Sequence, residues 1–386
     1  MQAETIKYRQ FISAVLVLGA MLLLQDPALA QTNGTHGAQG ASAANAAKSC
    51  APAELRQQLA AQFAHCPRNQ MTMVIGYNPG GNTDTVGRHF QAYLESVATD
   101  SGAISPAFST VIESRPGASG EIGSRLVANG DAKTCRLLIA QSNQLTTNQL
   151  GVPNALNPET DLKSIAMIAE APLVLAVNAR TSPHKSFADL QKYLKAGGDR
   201  NFFGSNGHFA TDHLAMETML GHMGAKATHV PFTGSGPMIQ SLLVRNDSSI
   251  DFALVSVGLI RAYLLDGRLQ ALGVARPQAI RVARGAGEDD LVIEPIARHV
   301  PQFSSASMWV ALAGNRHVPD SLSATMTQAV QCFAQSPKAQ QVLAKELMFE
   351  LGGSRDALMQ RVRSEITEAR ARFSKEYIMQ VQNSHK

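Results

Sequence analysis

The sequence predicts a two-domain α/β protein that follows a short export leader. From Thr72 onward, short apolar runs alternate with amphipathic stretches, which is the pattern of strands and helices packed in layers. Glycine-rich turns stand between several of these strands and the helices after them. About 356 residues follow the leader, too many for one hydrophobic core and enough for two. We therefore expect two α/β domains.

Residues 1–30 are predicted to be a cleaved signal peptide. Basic residues precede an apolar stretch at 11–24 that is too short to span a bilayer comfortably. Ala28 and Ala30 then give the small-x-small pattern of a signal-peptidase site. A retained N-terminal anchor is the alternative. We expect a mature chain that lies in the periplasm and does not insert into a membrane.

Charge and cysteine spacing argue against two classes of protein. The 34 basic and 30 acidic residues are scattered, with no basic block interleaved with aromatic residues, so we expect no nucleic-acid partner. None of the four cysteines has the spacing of a metal-ligand motif, so no metal is expected. Disulfides are possible after export, and four cysteines allow three pairings. The local pair Cys50–Cys66 is favoured, with Cys135–Cys332 as the second; free buried thiols are the alternative.

The predicted elements follow in order. Residues 31–49 are small and polar and are predicted to be a disordered tether. Leu55, Leu59 and Phe63 recur at fourfold spacing, so residues 52–64 are predicted to form a helix packed on the first domain. Strands are then predicted at 73–77, 109–113, 137–141, 173–178, 202–204, 227–231, 252–256, 271–274 and 308–313. Helices are predicted at 85–98, 120–128, 187–196, 211–223, 238–244, 259–266, 322–335, 339–347 and from 354 to 373 or beyond.

Three glycine-rich turns, at 77–84, 204–207 and 231–237, each link a strand to a helix. Such a turn offers unpaired N–H donors at the positive end of a helix, which favours an anion. One turn alone is weak evidence, because short strand–helix loops need glycine for geometry. Three together favour an anion held between domains. The phosphate-loop and dinucleotide spacings are absent, as is the GxSxG turn of serine hydrolases.

The remaining polar candidates have two readings each. His213 and Glu217, four residues apart, are expected to form a polar pair on a helix rather than a metal site. Asp84 has a structural and a functional interpretation, and both stay open. In the first, it caps its helix. In the second, it orders the glycine turn or accepts a hydrogen bond from the ligand or a bound water. Asp251 is expected to be structural. No serine, histidine and aspartate set is indicated, so no catalytic residue is predicted.

The turns, in their order, resemble the solute receptors of the tripartite tricarboxylate transporter family. The matching segments are 74–84, 111–123, 204–207, 213–214, 229–237 and 267–272, and together they span about residues 71–373. The resemblance implies a type II periplasmic binding protein fold, with the ligand in a cleft between two α/β domains. The chain would cross between the domains near 170–173 and within 275–307. Domain 1 would comprise 71–171 plus 300–386, with the 50–70 segment packed on it, and domain 2 would comprise 172–299.

The resemblance also implies a set of ligand-binding residues. Ligands of the family are mostly small carboxylates, held by backbone N–H groups, hydroxyls and ordered waters. In the first domain the implied residues are Tyr77, Asn78, Pro79, Gly80, Gly81, Asn82, Asp84, Ser142 and Asn143. In the second they are Ser205, Asn206, Gly207, Thr211, Thr233, Gly234, Ser235 and Ser256.

The chain departs from the family pattern at three places. His208-Phe209-Ala210 stands where the family has another glycine and a small hydroxyl residue. The aromatic side chain either selects a flatter, more apolar acid, including an aromatic carboxylate, or simply packs. Residues 131–135 differ from the family turn before the third strand, and the segment before Thr72 is an extension.

The sequence thus predicts a non-enzymatic receptor for a small organic anion, a carboxylate or dicarboxylate. We expect a monomer without a cofactor, whose partners are the subunits of a membrane transporter or a sensor. The alternative is an exported hydrolase that uses Ser205 with His208 or His213.

Overall fold

The computed structural model describes residues 50–99, 106–130, 135–197, 201–244, 249–285, 287–303 and 305–383. The predicted signal peptide and tether lie outside these ranges, as do residues 131–134 of the divergent turn. From Gln70 onward, strands and helices alternate as the apolar pattern predicts.

The strands are β1 (Gln70–Ile75), β2 (Ser109–Ser114), β3 (Arg136–Gln141), β4 (Leu162–Asn178), β5 (Phe202–Ser205), β6 (Thr228–Pro231), β7 (Phe252–Ser256), β8 (Leu269–Val274), β9 (Ile280–Val282), β10 (Leu291–Ile293), β11 (Ser307–Asn315) and β12 (Phe349–Gly353). All nine predicted strands are present. β9, β10 and β12 were not predicted; the first two form a separate antiparallel hairpin.

The helices are α1 (Pro52–Phe63), α2 (Asn82–Ala98), α3 (Glu121–Ala128), α4 (Ser142–Leu145), α5 (Asn148–Gly151), α6 (Phe187–Lys195), α7 (Thr211–Met223), α8 (Ser235–Leu243), α9 (Val257–Leu265), α10 (Asp320–Gln335), α11 (Pro337–Lys345), α12 (Arg355–Arg372) and α13 (Lys375–Asn383). Every predicted helix is present. The one-turn helices α4 and α5 were not predicted, and the long final helix is broken into α12 and α13.

One ten-stranded sheet divides at β4 into two halves. The first lobe holds the order β2-β1-β3-β11-β4-β12 and uses residues 162–172 of β4. The second lobe holds β8-β4-β7-β5-β6 and uses residues 173–178. β1 is parallel to β2 and β3, and β5 is parallel to β6 and β7, so within each set the carboxyl ends lie at one edge.

Both lobes bury each face of their half-sheet under helices. In β1, Met73 and Ile75 face a core shared with α1, α2 and α10, whereas Val74 faces a second core with α3 and α12. The second half of β4 alternates in the same way, with Leu173 and Leu175 on the α6 and α7 side and Val174 on the α8 and α9 side. This period of two, apolar on both faces, is what a buried strand requires.

At the crossing between the lobes, the segments at Ala275 and Ala306 run beside β4. β4 passes through the first crossing without a break. Ala275 N donates to Leu173 O (2.8 Å), and Ala306 N donates to Ala275 O (3.0 Å), so the return segments lie against it. Arg361 of α12 braces this region through Glu170 Oε2 (2.8 Å) and Ser307 Oγ (3.0 Å). The domain boundaries at 171/172 and 299/300 stay a prediction.

The predicted disulfide pairing is wrong. The bonds are Cys50–Cys332 and Cys66–Cys135, with Cα atoms 5.3 and 5.7 Å apart. A local Cys50–Cys66 bond is excluded by the helix between them, because twelve helical residues span about 18 Å, well beyond the reach of a disulfide. Each end of α1 is instead fastened to the first lobe, which its buried Leu55, Leu59 and Phe63 also contact.

Candidate functional site

The predicted site residues follow the carboxyl ends of strands in both lobes. The turn after β1 leads into α2, and Ser142 follows β3. In the second lobe, the turns after β5 and β6 lead into α7 and α8, and Ser256 ends β7 immediately before α9. Open α/β sheets bind ligands at this edge, because loops of both lobes meet there and helices begin there.

Asp84 orders the first-lobe turn. Its Oδ2 accepts the Gly80 N–H (2.9 Å) and the Arg88 Nε–H (2.9 Å), while Gly80 has a φ of +84°. The carboxylate therefore closes a loop across the glycine pair. Of the roles considered for Asp84, the one seen in the structure is to order the glycine turn through the Gly80 N–H.

Tyr77 and Asn143 belong to a buried polar network behind the site. Tyr77 Oη lies 2.9 Å from Ser119 O and 3.0 Å from Asn143 Oδ1, and it donates its single proton to one of them. Asn143 Nδ2 donates to Ser119 O and to Asn148 Oδ1. Burial raises the pKa of the Tyr77 hydroxyl, so it stays protonated. The polar groups of both residues are used to hold the Ser119 turn.

Asp212 orders the turn after β5, and Ser235 joins the turn after β6 to it. Asp212 Oδ2 accepts the Asn206 N–H (2.9 Å) and its Oδ1 the His213 N–H (3.1 Å). The carboxyl is fully buried, which raises its pKa to about 7. Ser235 Oγ then donates to Asn206 Oδ1 (3.0 Å), so the turn after β6 is fixed to the turn after β5.

Predicted residues of opposite lobes contact one another directly. Asn78 Nδ2 donates to Thr233 Oγ1 (2.7 Å), and Asn82 Nδ2 donates to Ser256 Oγ. The hydroxyls of Ser142 and Thr211 lie 2.8 Å apart.

Two glycines also lie near the opposite lobe. A Cβ on Gly81 would approach Ser235, and a Cβ on Gly234 would approach Asn78. The structure thus brings most of the predicted set together at one lobe–lobe boundary; Pro79 and Gly80 are at its exposed rim.

A cavity of about 260 Å³ opens between these turns. Tyr77 and the second-lobe residues Asn206, Gly207 and Thr233 line it, as the sequence predicted for the cleft. The other lining residues were not predicted to be ligand-binding residues: Gly117, Ala118, Ser119, Gly120, His208, Pro231 and Phe232. Residues 117–120 all have positive φ values, between +47° and +124°. Ala118 and Ser119 are unusual in that region of backbone space, and such outliers concentrate at functional sites.

Gly207 lies in close contact with the opposite lobe. It has a φ of +127°, and a Cβ there would lie 2.6 Å from Ser119 Oγ. Ser119 Oγ donates to His208 O (2.7 Å) across the boundary. A side chain at position 207 would therefore displace the Ser119 hydroxyl from its bond to His208 O and strain the backbone at this φ.

Phe209 packs rather than lining the cavity. Its ring is fully buried, and a Cβ on Gly151 would lie 2.0 Å from the ring. Its neighbours in this apolar cluster include Val152, Leu214 and Val381. The reading in which Phe209 selects a flat acid therefore has no support from its position.

A second cavity, of about 330 Å³, lies between α7 and α12. Its lining includes Thr211, the only one of the predicted site residues to border it, together with Arg361 and Glu365. Four predicted residues border the smaller cavity, so we take that one as the candidate site.

Ser205 contacts a different histidine from the two considered for a hydrolase. Its Oγ lies 2.6 Å from His229 Nε2 and 2.9 Å from Gly207 O, and the residue is fully buried. His213 stacks on His229 with ring centroids 3.8 Å apart, and its Nε2 lies 3.9 Å from Glu217 Oε1. The predicted His213–Glu217 polar pair is confirmed. The contacts of Ser205 with His229 and Gly207 stabilise the turn after β5. Because the Ser205 hydroxyl is fully buried, a substrate cannot reach it.

His65, Cys66 and Cys135 form the one cluster of three potential metal ligands within the described residues, but the two sulfurs are bonded to each other. No helix in the described ranges combines the length and the apolar character that crossing a membrane requires.

Comparison with known proteins gives consistent results. The tripartite tricarboxylate transporter family receptor model matches residues 99–375, which include both second-lobe turns and begin after the first-lobe turn. A UPF0065 protein of Bordetella pertussis is 24% identical over 286 residues, which are 72% of this chain and 81% of that protein. Protein BugT of the same organism is 25% identical over 285 residues, which are 69% of this chain and 80% of BugT.

Two solved structures show the same fold. Rpa4515 of R. palustris with adipate has a TM-score of 0.68 and 25% identity, covering 81% of this chain and 97% of its own. MatC from Rhodopseudomonas palustris with bound malate has a TM-score of 0.67 and 20% identity, covering 78% and 97%. The chain has the periplasmic binding protein fold of type II, with two α/β lobes and a cleft between them. Since the family model covers well over half of the sequence, the chain belongs to the tripartite tricarboxylate transporter family of receptors.

Proposed function

We propose that this receptor captures a small organic anion, a carboxylate or dicarboxylate, by closing its two lobes around it. One observation carries the proposal: four helices, from both lobes, begin at the lobe boundary. α2 begins at Asn82, α7 at Thr211, α8 at Ser235 and α9 immediately after Ser256. The first turn of each leaves N–H groups without helical partners, and each N-terminus carries about half a positive charge.

The residues around the cavity suit recognition by backbone and neutral side chains. No lysine or arginine is among the described residues that line it. Several charge-assisted N–H bonds, at about 1.5–3 kcal/mol each before ordering costs, could supply the roughly 8 kcal/mol of a micromolar complex. The adipate carried by Rpa4515, which shares the fold and 25% of its residues, supports a carboxylate.

The fold and family are those of solute-binding receptors, so we propose no catalytic role. The receptor would act in the periplasm as a monomer and pass its ligand to a membrane transporter or report it to a sensor. The predicted signal peptide, which lies outside the described residues, would direct the export.

A thermal-shift screen over mono-, di- and tricarboxylates tests the proposal. Binding to the folded state alone stabilises it by about 2.7 kcal/mol at a hundredfold excess over Kd, so a true ligand raises Tm with concentration. Gly81→Val adds bulk facing Ser235 between the lobes and should abolish the shift, whereas Gly221→Val, at a position with open space, should keep it. Sugars and cationic solutes serve as the comparison set. If one of them raises Tm and no acid does, the result counts against an anion receptor.

A further inference from the structure

His208 is the one residue of the divergent 208–210 segment that lines the smaller cavity. It is half-buried, whereas Phe209 and Ala210 are fully buried. The described lining contains one other ionisable side chain, the Tyr77 hydroxyl, which burial keeps protonated and neutral. His208 is therefore the side chain of the described lining that can present a positive charge to an anion.

Contacts on two sides hold His208 in place. Its carbonyl oxygen accepts the Ser119 Oγ–H (2.7 Å) from the opposite lobe. Its ring meets the His229 ring edge-on, with centroids 4.8 Å apart and planes at 84°. His229 is itself held by Ser205, since its Nε2 lies 2.6 Å from Ser205 Oγ. A side chain that is already held loses little conformational freedom when a ligand binds to it.

His208, His229 and His213 form a column of imidazoles, and its three members are not equivalent. His213 stacks on His229 at the far end from the cavity. Its Nδ1 accepts the Phe209 N–H (3.0 Å), so that nitrogen keeps its lone pair and the ring stays neutral. Like charges at these distances oppose each other, so the column carries one positive charge at a time. An anion in the cavity favours that charge on His208, the member that lines it.

Three buried carboxyl groups also face this region and titrate. In the second lobe, Asp212 accepts the His213 N–H, and Glu217 Oε1 lies 3.9 Å from His213 Nε2. In the first lobe, Glu121 follows the 117–120 turn and accepts a hydrogen bond from Asn148 Nδ2. Burial raises the pKa of all three carboxyls, so a falling pH removes negative charge from them. Their contribution has the same sign as that of an imidazole that gains a proton, and an experiment has to separate the two.

We propose that His208 binds a carboxylate of the ligand as an imidazolium, so that the receptor holds its anion more tightly at pH 6 than at pH 8. The inference rests on the proposed anion-receptor function and adds one charged contact to recognition by backbone and neutral groups. Imidazole is the side chain whose charge ordinarily changes between pH 5 and 8. Its cation donates a charge-assisted hydrogen bond to a carboxylate, about twice as strong as a bond between neutral partners. The site should thereby select ionised acids over neutral solutes of the same shape.

Calorimetry at pH 6 and pH 8, with succinate and adipate as probes, tests the role of His208. In the natural protein, the Kd of a probe that binds should be about tenfold lower at pH 6, because binding and protonation are linked. In His208→Gln the two Kd values should lie within about threefold of each other. Protonation of the probe itself affects both proteins alike, so the difference between them belongs to His208. A His208→Gln variant that keeps the natural ratio would assign the pH dependence to the carboxyls and overturn the inference. Failure of every acid at both pH values would instead count against the receptor function.

Two further variants separate the charge of His208 from its shape. His208→Lys carries a positive charge throughout this pH range, so its Kd should change by less than about threefold between pH 6 and pH 8. His222→Gln removes an exposed histidine at the end of α7, away from the cavity lining, and should keep the natural ratio. A His208→Lys variant with a pH dependence as steep as that of the natural protein would contradict the proposal, as would a His222→Gln variant that loses it.

Discussion

Glu217 carries a carboxyl group that titrates near neutrality behind the second-lobe turns. Burial raises its pKa to about 7 from an ordinary value of 4.5. A pKa that is higher in the folded than in the unfolded state means that the folded state favours the proton. The associated stability is complete below pH 4.5 and is lost as the pH rises to about 7.

Glu217→Gln should therefore become more stable relative to the natural protein as the pH rises. Its side chain is 27% exposed, so we discount the full shift and expect about 1 kcal/mol between pH 5 and pH 8, or about 1–2 °C in the Tm difference for a chain of this size. Thermal melts at both pH values measure it, with the exposed Glu368→Gln as control. A Tm difference that does not change with pH would show that the carboxyl is not buried as described.

Gly207 shows how far single residues can be read from sequence. The turn and its anion preference follow from glycine between a strand and a helix. The reason why position 207 must be glycine does not follow from the sequence, because its close neighbour is Ser119, 88 positions away in the chain and in the other lobe. The 117–120 turn was missed as a lining segment for a related reason: nothing in Ala118 or Ser119 indicates a positive φ.

At the scale of elements, periodicity predicted most helices and strands to within three residues. It began the strand after the first crossing at Leu173, whereas β4 runs unbroken for 17 residues, Leu162–Asn178, through the crossing that the family resemblance placed near 170–173. Each half of β4 pairs with different neighbours, and local sequence contains no mark of that change. β12 was missed because a five-residue strand with two glycines lacks a strand pattern.

The two disulfides fasten α1 to the first lobe, and their pairing can be measured. Peptide mapping without reduction should find Cys50 joined to Cys332 and Cys66 to Cys135. Removing Cys66–Cys135 with two serines should cost about 2–5 kcal/mol of unfolding free energy, as for native disulfides generally. The ligand-induced shift should persist, because neither bond lies at the cleft. A Cys50–Cys66 peptide would contradict the position of α1.

At the scale of the whole molecule, contacts outside the cavity also hold the lobes together. Thr147 Oγ1 donates to Phe209 O (2.6 Å), and the Phe209 ring fills a socket over Gly151. The socket includes Phe373 and Tyr377 near the C-terminus. A residue of the second lobe thus packs against first-lobe segments, so the closed arrangement gains free energy that does not come from the ligand.

Truncating Phe209 should shift the molecule toward an open arrangement. Loss of a buried phenylalanine costs about 3–5 kcal/mol, and the part that acts between the lobes lowers the closed population. Phe209→Ala should therefore enlarge the radius of gyration of the ligand-free protein in X-ray scattering and weaken ligand binding at least tenfold. Phe187 is also buried but packs within the second lobe, so Phe187→Ala should lower Tm and leave the scattering curve unchanged. If the two variants give the same scattering curve, the Phe209 contact does not hold the lobes together.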